Sequence, residues 1–331
     1  MTVVHACVRD GRGGSPTAVL DDGPFDEDAR RRIPGAMGTS HAVFVSRRGG
    51  SDDRSTTTSL RFFTSEGELP SCGHGTIAAL GYLAARAGGD THRFSLRTAE
   101  RTFTGWAVRQ RACLRVGFEA GAVELREPTG DESALLLPAL GIAPDGPGAP
   151  PDRHGNGLGR HTTTPHSAGA TGSFHRTGMR AGMRAGTRAG TRAGTRAGMR
   201  IASVGRPRLL VPVATPGELA SLAPDMERLR TACDRLGLLG CYAYSVPTSS
   251  GRVAARMFAP SIGVPEDVAN ANSTSCLAAH LAGRGIDRIS VDMGDGLGNP
   301  STITAATRPG GAGVLVELGG AVLVTPARPL P

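Results

Sequence analysis

A chain of 331 residues with 39% hydrophobic content holds enough apolar material for two cores, and none of its 37 basic residues is a lysine. Without a lysine amine, Schiff-base catalysis and a covalently held pyridoxal phosphate are excluded. The net charge of +8 does not mark a nucleic-acid face either, because seven arginines crowd between Arg176 and Arg200 with no acid among them, leaving the rest of the chain near neutrality.

Residues 3–8 and 17–20 read as strands around the turn Gly11-Arg12-Gly13-Gly14-Ser15-Pro16. Residues 26–33 predict a short helix stopping at Pro34, and His41-Ala42-Val43-Phe44-Val45 a strand that opens on a histidine. Leu60, Phe62 and Phe63 form the next strand, followed by a polar turn through Pro70 and a helix from Gly73 to Ala87. Its side chains from Ile77 on are nearly all small or apolar, so it is expected to be buried almost all round. The first turn, Cys72-Gly73-His74-Gly75-Thr76, gathers free backbone N–H groups, a thiol and an imidazole, a place for an anion to bind and a proton to move. Residues 93–96, 102–108 and 113–118 continue a mostly antiparallel sheet, and 132–140 read as a helix whose end Pro138 blurs.

From 143 to 200 the character changes. Pro, Gly, Thr and His dominate, and then a four-residue unit repeats from Arg180-Ala181-Gly182-Met183 to Arg200. A glycine in every unit costs about 1 kcal/mol relative to alanine in a helix, and only Met183 and Met199 offer large apolar side chains to bury. A disordered insertion is expected here, between an N-terminal half (1–142) and a C-terminal half (201–331), the alternative being a membrane- or RNA-binding arm. Beyond it, strands are expected at 209–213, 241–246, 252–258, 288–291, 301–304, 314–317 and 321–324, with helices at 225–236 and 271–282.

Six cysteines (Cys7, Cys72, Cys113, Cys233, Cys241, Cys276) form no CxxC pair, and the chain opens straight into a strand pattern with no apolar run of membrane-spanning length. A soluble cytoplasmic protein with reduced thiols and no nucleic-acid or membrane partner is expected. His161, His166 and His175 lack metal-ligand spacing, so no metal or cofactor is expected.

The halves echo each other. Arg61-Phe62-Phe63 with Ile77-Ala78-Ala79-Leu80 parallels Arg256-Met257-Phe258 with Cys276-Leu277-Ala278-Ala279. This predicts an α+β fold of two pseudo-symmetric domains, each a mostly antiparallel sheet or barrel around a central buried helix. Two helix N-termini meeting in the cleft between them would hold a carboxylate.

Motifs in both halves extend the pattern: Gly14-Ser15-Pro16-Thr17-Ala18-Val19, Ser40-His41-Ala42-Val43-Phe44-Val45, Arg61-Phe62-Phe63-Thr64, Glu68-Leu69-Pro70-Ser71-Cys72-Gly73-His74-Gly75-Thr76, Arg256-Met257-Phe258-Ala259-Pro260, Gly263-Val264-Pro265-Glu266-Asp267 and Gly298-Asn299-Pro300-Ser301. In this order they resemble the PhzF family of phenazine-biosynthesis-type isomerases, within the diaminopimelate epimerase-like fold. The resemblance implies a cofactor-free enzyme, often a homodimer, that moves a proton on a small acid and so shifts a double bond. It implies a proton carrier at His41, with His74 and Asp267 placing the substrate and Ser15, Gly73, Gly75, Thr76, Asn270 and Asn272 around it.

Two departures stand out. The family's proton-carrying Glu is His41 here, and an imidazole with an ordinary pKa of about 6.5 can still accept and return a proton. Glu68 is the nearest carboxylate in sequence to the Cys72-Gly73-His74 motif, a structural residue there or a back-up base. Asn270-Ala271-Asn272 replaces Thr-Gly-Ser, and Asn272 either caps the following helix or binds substrate. Relatives of this fold also include two-thiol racemases; Cys72 sits at such a position, but Cys276 lies about two turns inside its helix, and Cys72 reads better as part of the turn. Three functions follow: an isomerase of secondary, antibiotic-type metabolism, a catalytically silent small-acid-binding protein, or a racemase or epimerase. For the isomerase, the substrate is an unsaturated 2-oxo acid of an alkylproline pathway or a dihydro-hydroxyanthranilate-like acid.

Overall fold

A computed structural model describes residues 1–48, 57–110, 113–142, 198–311 and 313–326. Alternating burial along β1 (Thr2–Val8) puts Thr2, Val4 and Ala6 inside, and its hairpin partner β2 (Ser15–Asp21) runs antiparallel to it. A crossover through α1 (Glu27–Ala36) brings β3 (His41–Arg48) parallel to β2, with His41 opposite Thr17. The strand β4 (Thr57–Thr64) pairs antiparallel with β3 and then with β5 (Gly67–Leu69). After α2 (Gly73–Ala87), β6 (Thr91–Arg97) joins β4 in parallel, and β7 (Thr102–Gln110) and β8 (Cys113–Glu119) continue antiparallel. The long final strand β17 (Gly313–Val324) pairs with both β8 and β1, so the series β1–β2–β3–β4–β6–β7–β8–β17 returns to its start.

The helix α2 packs on β1, β2, β3, β4, β7, β8 and β17. Every residue from Gly73 to Ala84 is buried, which matches its run of glycine, alanine and aliphatic side chains. At Gly81 an added Cβ would lie 2.6 Å from Val322 Cγ2, so glycine sets how closely this helix approaches β17.

A second group of strands follows: β9 (Glu124–Arg126), β10 (Arg200–Val204), β11 (Arg206–Val213), β12 (Cys241–Ser245) and β13 (Arg252–Ala259) pair in that order. From β13 the pairing forks to β14 (Val264–Asp267) at one end and β15 (Arg288–Met293) at the other, and β15 leads through β16 (Ser301–Gly310) back to β17 and β1. The buried helix α6 (Ala271–Ala282) packs on β9, β10, β15, β16, β17 and α2. A satellite apolar cluster holds α3 (Gly130–Ala139) and α5 (Met226–Leu236) through Leu136, Leu140, Leu209, Leu229 and Phe258. Among the described helices none is long and apolar enough to cross a membrane.

Several expected boundaries move. The first helix does not stop at Pro34 but continues to Ala36, because a last turn needs carbonyl acceptors and Ile33 and Pro34 supply them to Met37 N–H. The third likewise encloses Pro138. Short elements such as β5, β9, β14 and α4 (Pro216–Ala220) carry too few residues to show a period. Of the expected insertion, 143–197 lie outside the described residues, whereas Met199 is buried in the satellite cluster and Arg200 opens β10.

Candidate active site

Both buried helices are reached the same way. In both cases an Arg-bearing strand (β4, β13) leads through a turn and a short antiparallel strand (β5, β14) into the helix start. The arginine of the strand clamps the acid of that short strand in both places. Arg61 donates to both oxygens of Glu68 at 2.8 and 2.6 Å, and Arg256 to both oxygens of Glu266 at 2.9 and 2.7 Å. Engaged twice by Arg61, Glu68 is accounted for by structure, which is evidence against a back-up base.

The helix starts touch. An added Cβ at Gly73 would stand 2.6 Å from Ala271 Cβ and 2.8 Å from Asn272 Oδ1, and Asn272 Nδ2 donates to Ser71 Oγ at 3.4 Å. Each start is capped by its own side chain: Cys72 Sγ accepts from Gly75 N–H at 3.4 Å, and Asn270 Oδ1 from Ser273 N–H at 2.9 Å. The cap of α6 is therefore Asn270; Asn272 lies inside the first turn and reaches across to Ser71, just ahead of α2.

A cavity of about 290 Å³ opens where the two starts meet, its wall including His41, Cys72, His74, Arg208, Asp267 and Asn272. His41 and His74 are each 2% exposed, and their rings meet edge to face with centroids 4.3 Å apart at 85°. Ser40 Oγ lies 2.8 Å from His41 Nδ1, which leaves Nε2 free of that contact. On the far side of the pair, His74 Nδ1 is 3.9 Å from Asp267 Oδ2, and Cys72 Sγ is 3.6 Å from His74 Nε2 and 3.8 Å from Nδ1. Asn270 Nδ2 donates to Asp267 Oδ2 at 3.0 Å, so one side chain both caps α6 and fixes the carboxylate.

These neighbours split the two imidazoles. Burial, reinforced by the charge of His74, holds His41 well below the ordinary imidazole value, so it is neutral at neutral pH. Burial opposes charge on His74 as well, but Cys72 and Asp267 outweigh it and push His74 up to about 9. Asp267 is itself raised by burial, with His74 and Asn270 pulling the other way. A neutral base thus stands against a cationic imidazole, the separation of roles that acid–base chemistry uses.

Of the residues expected around the substrate, His41, Gly73, His74, Asp267, Asn270 and Asn272 line the cavity, and Ser15, Gly75 and Thr76 do not. Thr76 Oγ1 donates to the Cys72 carbonyl at 2.8 Å, and an added Cβ at Gly75 would meet Cys72 Sγ and Phe62 at 3.0 Å, so both shape the turn. Ser15 is buried at the start of β2 with no hydrogen-bond partner for its hydroxyl.

Two residues were not anticipated. Arg208, 1% exposed, lines the cavity from β11; Nη1 lies 3.8 Å from Cys276 Sγ, Nη2 donates to the Arg206 carbonyl, Nε has no partner, and no described carboxylate pairs with it. A guanidinium in the strand Arg206–Val213, otherwise apolar from Leu209, was the available signal. Cys7 is buried with φ of 63°, a left-handed conformation that a bulge between Ala6 and Val8 in the β1–β17 pairing accommodates. Burial and the nearby Asp267 and Cys72 push its thiol pKa up.

Solved structures share this architecture. A PhzF-family phenazine biosynthesis protein of Bacillus anthracis superposes with a TM-score of 0.70 at 13% identity, covering 98% of this chain and 96% of that one. A protein of Pseudomonas aeruginosa described as a predicted epimerase gives 0.69 at 21% identity, covering 100% and 98%. The class is thus the mixed α+β fold of the PhzF-type proteins. The chain belongs to the PhzC-PhzF family of phenazine biosynthesis-like proteins, whose family model matches residues 5–134 and 175–325. Among curated relatives, an uncharacterized isomerase of Deinococcus radiodurans is 28% identical over 323 residues, 95% of this chain and 88% of its own length. The uncharacterized isomerase YddE of Escherichia coli is 22% identical over 280 residues, 82% of this chain and 74% of its own.

Proposed function

We propose that the protein is an isomerase that moves a proton, and with it a double bond, in a small unsaturated carboxylic acid of secondary metabolism. The observation that carries this reading is the contact of two unlike imidazoles at one cavity, His41 neutral and His74 cationic on Asp267, with ring centroids 4.3 Å apart. His41 Nε2 takes the proton from the substrate carbon next to the double bond. The C–H electron pair becomes the new double bond, the old C=C pair shifts to the bond joining it to the carbonyl carbon, the carbonyl π pair goes onto its oxygen as an enolate, and His74, backed by Asp267, stabilises that charge. When His41 returns the proton to the far carbon, the enolate collapses and the shift is complete.

Names of the relatives as isomerases support the reaction class. The paired helix starts, with their positive dipole ends at one point, support the anchoring of a carboxylate. We read residues 1–142 and 201–331 as pseudo-symmetric halves, supported by the repeated Arg–Glu clamp and the two buried helices. An unsaturated 2-oxo acid is favoured over a ring acid because its carbonyl acidifies the neighbouring C–H and suits a base as mild as imidazole. Racemisation needs acid and base on opposite faces of one carbon; the two imidazoles in contact leave no room for a carbon between them, and Cys276 is buried against Arg208.

The test is incubation with candidate unsaturated acids in D₂O, following the double bond by ultraviolet absorbance and deuterium by NMR. Exchange is expected in the wild type and lost in His41→Ala. Exchange surviving in that variant removes His41 as the base, and tight binding of an acid with no exchange in the wild type makes the protein a silent binder.

A further inference from the structure

We propose that His41, Cys72 and His74 form a three-ligand site for a divalent ion of the zinc class, whose fourth position opens into the cavity. One donor atom from each lies within 4.8 Å of the other two, and all three side chains are buried. Tetrahedral Zn²⁺, with Zn–S of about 2.3 Å and Zn–N of about 2.0–2.1 Å, needs S···N edges of about 3.6 Å and an N···N edge of about 3.4 Å. Cys72 Sγ to His74 Nε2 already measures 3.6 Å. The longest edge therefore has to close by at most about 1.4 Å, within reach of small side-chain rotations.

The surroundings are those a metal site requires. Ligating histidines hold the ion with one nitrogen and are oriented through the other. His74 has Cys72 Sγ at 3.6 Å from Nε2 and 3.8 Å from Nδ1, with Asp267 Oδ2 3.9 Å from Nδ1, so a small ring rotation gives the sulfur's side to Nε2 and the carboxylate's side to Nδ1. His41 has Ser40 Oγ at 2.8 Å from Nδ1, and its other nitrogen is left for the ion. Asp267 is held in turn by Asn270. Two imidazoles and a thiolate suit zinc better than magnesium or calcium, which take oxygen ligands. On binding, the Cys72 thiol and the His74 imidazolium each release a proton to solvent. A histidine at position 41 supplies a ligand that the family's Glu would supply only as oxygen.

The metal takes the His41 lone pair, so occupancy and proton transfer exclude one another, and the ion acts as an inhibitor of the reaction proposed above. Only that consequence rests on the isomerase reading; the site itself does not. The test is titration of the metal-stripped full-length protein with Co²⁺, followed by absorbance. One equivalent is expected to give a near-ultraviolet thiolate-to-cobalt band with intense tetrahedral visible bands, all displaced by Zn²⁺. The band is diagnostic because His154, His161, His166 and His175 lie in a stretch without cysteine. Cys72→Ser, which keeps an oxygen to cap Gly75 N–H, should abolish the band, and His41→Ala should weaken Co²⁺ binding at least tenfold. Asp267→Asn should weaken it about 10–100-fold, and Cys113→Ser should leave it unchanged. No band in the wild type, or a band that survives Cys72→Ser, or His41→Ala binding as tightly as wild type overturns the site. Loss of deuterium exchange on adding Zn²⁺, with the same apparent Kd as the absorbance titration, links the site to the reaction; exchange undiminished at full occupancy refutes the inhibition while leaving the absorbance result to stand or fall alone.

Discussion

Replacing Gly73 with alanine puts one methyl group where the starts of α2 and α6 meet. Its Cβ would lie 2.6 Å from Ala271 Cβ, 2.8 Å from Asn272 Oδ1 and 3.0 Å from Asn272 N, and two of those atoms are backbone or fixed to it. Carbon pairs rest at about 3.5–4.0 Å, so the helix starts must separate by roughly 1 Å. Overpacking of this kind costs about 1–3 kcal/mol, while loss of glycine's unfolded-state freedom returns about 0.4–1 kcal/mol. The net expectation is a destabilisation of about 1–2 kcal/mol. Gly35→Ala is the control: exposed inside α1, with nothing within 4 Å of its added Cβ, it should stabilise by about 0.5–1 kcal/mol. Urea unfolding followed by circular dichroism measures both, with equal slopes required for the comparison. A Gly73→Ala midpoint at or above wild type would refute the close contact of the helix starts.

Arg208→Met should leave stability unchanged or raise it, since replacing a buried charge that has no carboxylate partner by an apolar chain is neutral or stabilising; the same variant should raise KM for an acidic substrate about tenfold, read by titration. Glu132 is held at about 2 by hydrogen bonds from Arg126, with its capping bond to Thr129 N–H adding to them. Its folded value lies below the ordinary 4.5, so its contribution is complete above that pH and is lost as pH falls toward 2; Glu132→Gln should flatten this part of a Tm-against-pH curve. His280 is held at about 4 by burial and by Arg284 and Arg200, so protonation of the unfolded chain should erode stability as pH falls from 6.5 toward 4, and His280→Phe should remove that limb.

The long elements were legible because their periods are long: the α2 run of small residues predicted a helix buried all round, and Gly73 to Ala84 are buried. Its counterpart α6 was equally plain, and the strand–turn–helix echo predicted a cleft where the two helix N-termini meet, where His74 and Asp267 stand 3.9 Å apart. What the sequence could not show depends on distances between remote positions. Arg208 looks like any arginine on a strand until β11 is seen to wall the cavity. Cys7 does not line the cavity, but it sits at a bulge of β1 against β17 near enough for Asp267 and Cys72 to act on its thiol. Motif position also overreached, since Thr76 and Gly75 sit within the motif but face into the turn, where they serve Cys72.

Position 41 decides how the cavity divides its charges. Two imidazoles whose rings touch cannot both be protonated in a buried site, so the proton goes to the one with an anion at hand. Cys72 lies 3.6 Å from His74 and Asp267 3.9 Å, and Asn270 anchors the carboxylate there while capping α6, so both helix starts act to make His74 the cationic one. A carboxylate at position 41 would instead lie beside His74 and draw on the same charge. With histidine there, the charge belongs to His74, held by Cys72 and Asp267, and the neutral imidazole of His41 lines the cavity, where the proposed proton transfer and the proposed metal ion would compete for it.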